Sequence, residues 1–524
     1  MKYSHSIRRF FAAISLLLPV AGLTLSAQEP VSELDLNGIT FVRQNFCRNF
    51  YNLSKVMASI NMDGTKLFLE HSANLVTEGT AAVEQDGNTL VFRGPGRISA
   101  RVGSFHPYLG YELSFCDVPA GAAAGLAVTE NLGNGALEVF YRDGSVFAIM
   151  GGKEIGKADT GILDTVDLRV QFTGERFHVF LLGDKGTANL LFSAVCGLRA
   201  IDVPVKWSFS ALADLPGGVS VTLTRARSLL SCGTGQADPQ IIQNKDGSPL
   251  IRDGHLWVAF TTRGFEKIPD SYQGVYSIDL DSYELRLEGA LFFGDGDGLI
   301  HGYHATKVVW DGDAGKFLVM TVTHGGNHTI AWAETSADLL HGMHYLECKE
   351  LDIPHNYTRG GAAEGRASSR FGTEDPDFFY DAKARKWRLA YCALDEPNTG
   401  SRKLYRTFLC ESKTWNGTYR QIARSAQDNN TGIRITSVGG HRYVLSGGPD
   451  TTFYIYDYPT LEDRGTFNQL YANGGFRGWP TIVPIRYGNY ERYLWITFDR
   501  GWITGRYSYG TLYFYLADKM WRCE

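Results

Sequence analysis

From residue 237 onward one sequence pattern recurs five times. Its openings are "ADPQIIQ", "HATKVVWDGDAGKFLVMTV", "EDPDFFYDAKARKWRLAY", "TGIRITSVGGHRYVLSGG" and "WPTIVPIRYGNYERYLWITF", starting near residues 237, 304, 374, 431 and 479. Each places a small or polar start before an apolar run, then a Gly- or Lys-rich turn, then an aromatic run. A further strand-like run follows in each unit: "GVYSIDL", "HTIAWAE", "LYRTFLCES", "TFYIYDYP" and "TLYFYLAD". The period is roughly 45 to 70 residues, the size of one propeller blade with loop insertions. A lone four-stranded sheet cannot cover both its faces, so such units stack radially. Five of them predict a five-bladed β-propeller over 235–524.

In a propeller the first strand of every blade lines the central channel, so the five openings converge in space. Asp238-Pro239 and Asp375-Pro376 occupy matched places in units one and three. Proline removes a backbone donor and is expected to hold the preceding aspartate extended. Strand alternation then turns Glu374 away or along the lip, and Asp377 back to the channel one pleat deeper. Converging carboxylates repel unless they share protons or bind a cation or substrate. Read singly, Asp-Pro is a turn; its repetition at matched places favours a site.

The first part of the chain follows a different rule. Over 30–230, runs such as "YELSFCDV", "LEVFYRDGSVFAIMGG" and "VDLRVQFTGERFHVFLLGD" alternate in period two, with Asp143-Gly144 as a hairpin turn. The 59 glycines and 13% aromatic residues fit many short strands. The fold class is therefore all-β: an N-terminal antiparallel β-sandwich followed by the five-bladed β-propeller. Residues 1–27 read as a secretory signal, with Lys2, Arg8 and Arg9 ahead of an apolar stretch from Phe10 to Leu23. This implies a periplasmic or secreted protein with no integral membrane span after signal removal. A net charge of −5 argues against nucleic acid as a partner. Cys392 and Cys410 fall on consecutive expected strands, a placement that a cross-strand disulfide needs. The "GDGDGLIHGYH" loop at 294–304 lacks the twelfth-position Glu of a calcium loop, because Thr306 stands there. No metal site is assigned and no cofactor is required; a structural cation in the channel is compatible with the pattern.

Two resemblances add to this reading. The "YELSFCDVPAGAAAGLAV" and "VDLRVQFTGERFHVFLL" texture resembles the concanavalin-like lectin and glucanase sandwiches. The five units, and the two Asp-Pro openings above all, resemble the family 43 and family 32 glycoside hydrolases and their family 117 relatives. That resemblance implies an enzyme acting on oligosaccharide or polysaccharide substrates, with Asp238 as general base and Asp375 orienting the acid. Where family 43 carries its acid in Glu-Gly, this chain has Thr431-Gly432. The proton must then come from elsewhere. Candidates are His304, which opens a channel strand, Glu374, Glu364 and His441. Arg263, Arg370 and Arg477 stand at expected strand ends or funnel loops and suit an anionic sugar. Trp479 is expected to stack on a sugar face. The rival readings are a carbohydrate-binding propeller without catalysis and a polysaccharide lyase.

Overall fold

The computed structural model describes residues 35–47, 54–59, 75–130, 135–183, 187–198, 200, 206–231, 235–263, 271–323, 328–356, 372–394, 404–449, 452–468, 479–498 and 512–523. Residues 1–27, expected to be a secretory signal, lie outside them. Among the described residues no helix is long and apolar enough to cross a membrane.

Five of the sheets are propeller blades. Blade I runs outward through Gly235–Ile241, His255–Arg263, Ser271–Asp279 and Leu285–Gly294. Blade II runs through His304–Asp311, Lys316–Val322, Ile330–Thr335 and Lys349–Glu350. Blade III comprises Thr373–Asp381, Lys386–Ala393, Arg406–Ser412 and Arg420–Arg424, and blade IV Thr431–Val438, His441–Gly447, Thr452–Asp457 and Asp463–Asn468. The inner strands touch one another in ring order, and that of blade V meets that of blade I. All five expected openings therefore lead into channel strands. The local turns follow from the sequence. Asp311 accepts the backbone N–H groups of Asp313 and Ala314, and Asp381 those of Lys383 and Ala384. One capped turn thus serves the first hairpin of both blades II and III.

Blade V closes the ring with a strand from the other end of the chain. Thr481–Tyr487, Tyr490–Phe498 and Leu512–Ala517 are completed by Phe41–Cys47, antiparallel to Leu512–Ala517 with Phe41 opposite Ala517. Phe41 packs edge-on against Trp495, with ring centroids 5.7 Å apart. Residues 41–47 thus belong to the propeller, although they fall inside the 30–230 segment expected to form the sandwich. Without them Leu512–Ala517 would be a bare edge with unpaired backbone groups.

Most of the remaining strands, between Ser54 and Ser231, form a seven-stranded and an eight-stranded antiparallel sheet. Their facing side chains meet directly: Tyr111 of one sheet lies 4.5 Å from Phe209 of the other. The same apolar cluster runs on into blade I, where Tyr108 and His106 contact Phe292 at 5.2 and 4.5 Å. Burial pushes the His106 imidazole down to about 3 and that of His178 to about 4, so both stay neutral. No cross-strand disulfide joins Cys392 to Cys410. Cys392 sits opposite Thr407 and Cys410 opposite Leu389, and both are free thiols.

Candidate active site at the channel mouth

Four inner strands share one irregularity. Their pairing slips between Ala237 and Gln240, His304 and Lys307, Glu374 and Asp377, and Thr431 and Arg434. In each, two residues oppose one. The first of the two has a left-handed backbone: Asp238 (φ 55°), Ala305 (53°), Asp375 (61°) and Gly432 (63°). These are β-bulges with a left-handed first residue. The expectation that proline holds Asp238 and Asp375 extended is therefore wrong, because the bulge dictates their φ. Asp tolerates this region better than most residues, yet left-handed backbone still costs a non-glycine residue about 1–2 kcal/mol. Ala305 shares this backbone at the same bulge, so the strain belongs to the blade geometry, and it is the aspartates at two of the four places that make the mouth a candidate site.

The bulges also set what surrounds Asp375. Its Oδ2 accepts the Gly432 N–H at 2.7 Å, the Thr431 hydroxyl at 3.0 Å and the Cys392 thiol at 3.4 Å. A carboxylate held by three donors suits orienting work. Asp238, in the equivalent place on blade I, is buried to 7% exposure. Gly432 is required twice over. Its φ is left-handed, and a Cβ there would come within 2.6 Å of the Trp479 indole. The packing demand thus fixes Gly432, which the resemblance also expects, while Thr431 stands where the resemblance leads one to expect Glu.

One step deeper the channel is filled by charge. Lys307 Nζ lies 2.9 Å from Asp377 Oδ1 and donates to Gln243 Oε1 at 2.6 Å. Asp377 Oδ2 accepts the Ile435 N–H at 2.9 Å and lies 3.8 Å from Arg434 Nη1. Burial lowers the Lys307 ammonium to about 8 and the Arg434 guanidinium to about 10, each partly offset by Asp377. Asp375 and Asp238 also stabilise the Arg434 charge. This ring braces the bulges. Arg434 and Thr481 both donate to the Pro239 carbonyl, at 3.0 and 2.9 Å, and Gln240 donates to the Pro376 carbonyl at 3.1 Å. Below it, a cavity of about 480 Å³ opens toward the other end of the channel, lined in part by Ile241, Phe379, Arg442 and Ile482.

Beside the aspartates lies an imidazole–carboxylate group. His328 Nδ1 is 2.6 Å from Glu374 Oε1, and the His304 and His328 rings are 5.0 Å apart, nearly edge to face. His304 opens the inner strand of blade II, His328 precedes its third strand, and Glu374 lies on the inner strand of blade III. The backbones meet closely here. The Thr373 N–H donates to the His328 carbonyl at 2.9 Å, and a Cβ on Gly372 would come within 2.0 Å of that oxygen.

The structure thus brings Asp238, Asp375, His304 and Glu374 to one mouth. Trp479 is there too, but not as an exposed stacking platform: it is buried, and Arg434 lies 4.2 Å over its ring. His441 is excluded as a proton donor. It follows the turn after Val438, at the far end of blade IV's inner strand. The backbone of Arg263 pairs with Gly235, at the mouth end of blade I. Arg370, Arg477 and Glu364 lie outside the described residues. In the 294–304 loop, Asp297 and His301 bond each other at 2.9 Å and remain exposed or half-buried. Sequence reasoning missed Arg434 and His328. Alternation gives Arg434 no partner within "TGIRITSV", and His328 opens the strand-like run "HTIAWAE" with nothing local to join it to Glu374.

No family model matches the chain, and no curated protein matches it. Solved structures do match in part. An inulosucrase from Halalkalicoccus jeotgali bound to kestose is 14% identical with a TM-score of 0.35, covering 52% of this chain and 77% of its own. A family 43 β-1,3-galactosidase with galactodeoxynojirimycin is 13% identical with a TM-score of 0.37, covering 55% and 98%. A carbohydrate-binding module from Bacillus subtilis is 16% identical with a TM-score of 0.23, covering 30% and 94%.

Proposed function

We propose that this chain is a glycoside hydrolase, exported from the cytoplasm, that acts on oligosaccharides released from a polysaccharide. The observation that carries the reading is the pair of equivalent bulges that bring Asp238 and Asp375 to one channel mouth. Hydrolysis needs a carboxylate to activate water and a proton for the leaving oxygen. Asp238 is the base. Asp375, held by Gly432, Thr431 and Cys392, orients the reacting groups. The proton comes from the group formed by His304, His328 and Glu374, which compensates for the missing Glu at 431. Arg263, Arg370 and Arg477 suit a sugar bearing carboxylate or sulfate. The basic and apolar N-terminal segment supports export.

The test is a panel of neutral and anionic oligosaccharides, followed by reducing-end release and by ultraviolet absorbance. Hydrolysis frees a reducing end without a new double bond, whereas a lyase product absorbs. Asp238→Asn keeps the shape and removes the basicity, so turnover should fall at least about 100-fold with sugar binding retained. Wild-type protein that binds a sugar and never cleaves it would replace this reading with a binding propeller. An absorbing product would replace it with a lyase.

A further inference from the structure

We infer that His304, His328 and Glu374 hold one divalent transition-metal ion at the channel mouth. Their ligand atoms all lie within 4.8 Å of one another, although they come from three separate segments. Two imidazoles and one carboxylate make a nitrogen-rich donor set that suits zinc and its first-row neighbours better than calcium or magnesium. Two such ligands at about 2.05 Å from a tetrahedral ion stand roughly 3.3 Å apart. The 2.6 Å contact between His328 and Glu374 then has to open by less than an ångström.

The backbone that carries the three ligands is held in place by hydrogen bonds. The Glu374 carbonyl accepts from the Cys392 thiol at 3.6 Å, and the His304 carbonyl from the Thr321 hydroxyl at 3.2 Å. The neighbouring Thr373 donates to the carbonyls of His328 and His355. The site is off the channel axis, between blades II and III. At the equivalent register, blades I and IV carry Ala237 and Thr431, and Ala237 offers no ligand. Deeper in the channel Lys307 and Arg434 already neutralise Asp377, so a cation is better placed at the mouth.

The inference rests on the hydrolase reading only for the use made of the ion. With the ion bound, His304, His328 and Glu374 would serve as its ligands, and the proton that the hydrolase reading takes from this group would be supplied by water on the ion to the glycosidic oxygen as the C–O bond breaks. The attacking water passes a proton to Asp238, and that proton returns through solvent to the hydroxide left on the ion. One water is consumed and no redox change occurs.

The experiment uses the full chain, stripped with dipicolinate and titrated with zinc chloride by calorimetry, with elemental analysis of the protein as purified. The expected result is one equivalent bound at a dissociation constant of about 1 µM or below. His328→Ala and Glu374→Gln should each weaken binding at least about 100-fold, with circular dichroism confirming the fold. His304→Gln is a second variant if either fails to fold. Asp238→Asn should bind zinc as the wild type does. No uptake at about 100 µM zinc overturns the inference, as does uptake unchanged by the ligand variants. Zinc bound without any sugar cleaved keeps the site and removes the hydrolase; zinc bound together with full cleavage by metal-free protein keeps both the site and the hydrolase and removes the ion's part in catalysis.

Discussion

The inner strands carry two rings of side chains only a few residues apart, and the two behave differently. At the bulges stand Asp238, Asp375, Glu374 and His304, strained or converging groups that suit a substrate or an ion. Just below stand Gln240, Lys307, Asp377 and Arg434, whose donors and charges are directed at one another and at the bulge carbonyls. The same strand thus carries a proposed reactive group at one position and its scaffold two or three positions later. Strain at the upper ring persists because the lower ring grips the peptide carbonyls that follow the aspartates. The reactive ring and the bracing ring should therefore respond differently to substitution.

The largest effect is expected in the lower ring. Asp377→Ala leaves Lys307 and Arg434 buried without their shared carboxylate. Breaking a buried ion pair from one side costs about 3–5 kcal/mol, so denaturant melts should shift strongly to lower midpoints. An unchanged midpoint would mean that the ring is not structural. Ring closure comes next. Phe41→Ala removes the aromatic contact to Trp495 on the closing strand and should cost about 3 kcal/mol. Phe41 lies on the outermost strand of blade V, opposite Ala517, so activity measured well below the melting temperature should persist. Deleting residues 1–230 to isolate the propeller also removes this strand, and the product should fold poorly.

A third perturbation lies outside both rings. His106 and His178 are buried with lowered pKa values of about 3 and about 4. The unfolded chain takes up these protons near pH 6.5 and the folded chain does not, so stability is present above that value and lost as pH falls below it. At pH 5 each histidine should cost about 2 kcal/mol. Urea midpoints measured from pH 7 to 5 check this, and His106→Gln should flatten part of the slope. Both rings should lose their structure together at acid pH, because His106 packs against blade I through Phe292.

The sequence shows the five openings plainly, because Asp-Pro, Gly-rich turns and aromatic runs are local signals. The bulges explain what it hides. A two-against-one pairing becomes visible only when the second strand is in place, so the left-handed aspartates and the shared register of Ala237, His304, Glu374 and Thr431 could not be read from alternation. Arg434 is hidden for the same reason: alternation does not show that a charged strand residue meets Asp377 and the Pro239 carbonyl. Phe41–Cys47 reads as the first sandwich strand because its partner, Leu512–Ala517, lies almost the whole chain away. Trp479 reads as an exposed platform at the opening of the fifth unit, yet it lies just ahead of Thr481–Tyr487 and is buried, with Arg434 over its ring.

The smallest expected effect tests whether Thr431 is a remnant or a participant. Its hydroxyl gives Asp375 one hydrogen bond at 3.0 Å, while the Gly432 N–H gives a shorter one at 2.7 Å and Cys392 a third contact. Thr431→Ala removes the first and leaves the others. Thr431 is also half-buried, so water can take the hydroxyl's place. The loss should be about 1 kcal/mol, or roughly tenfold at most in turnover. Steady-state kinetics beside Asp238→Asn make the comparison direct. A loss for Thr431→Ala as large as that for Asp238→Asn would make Thr431 part of the proton path and take that role from His304, His328 and Glu374. A small loss, with the melting midpoint nearly unchanged, leaves it as one of three donors that aim Asp375.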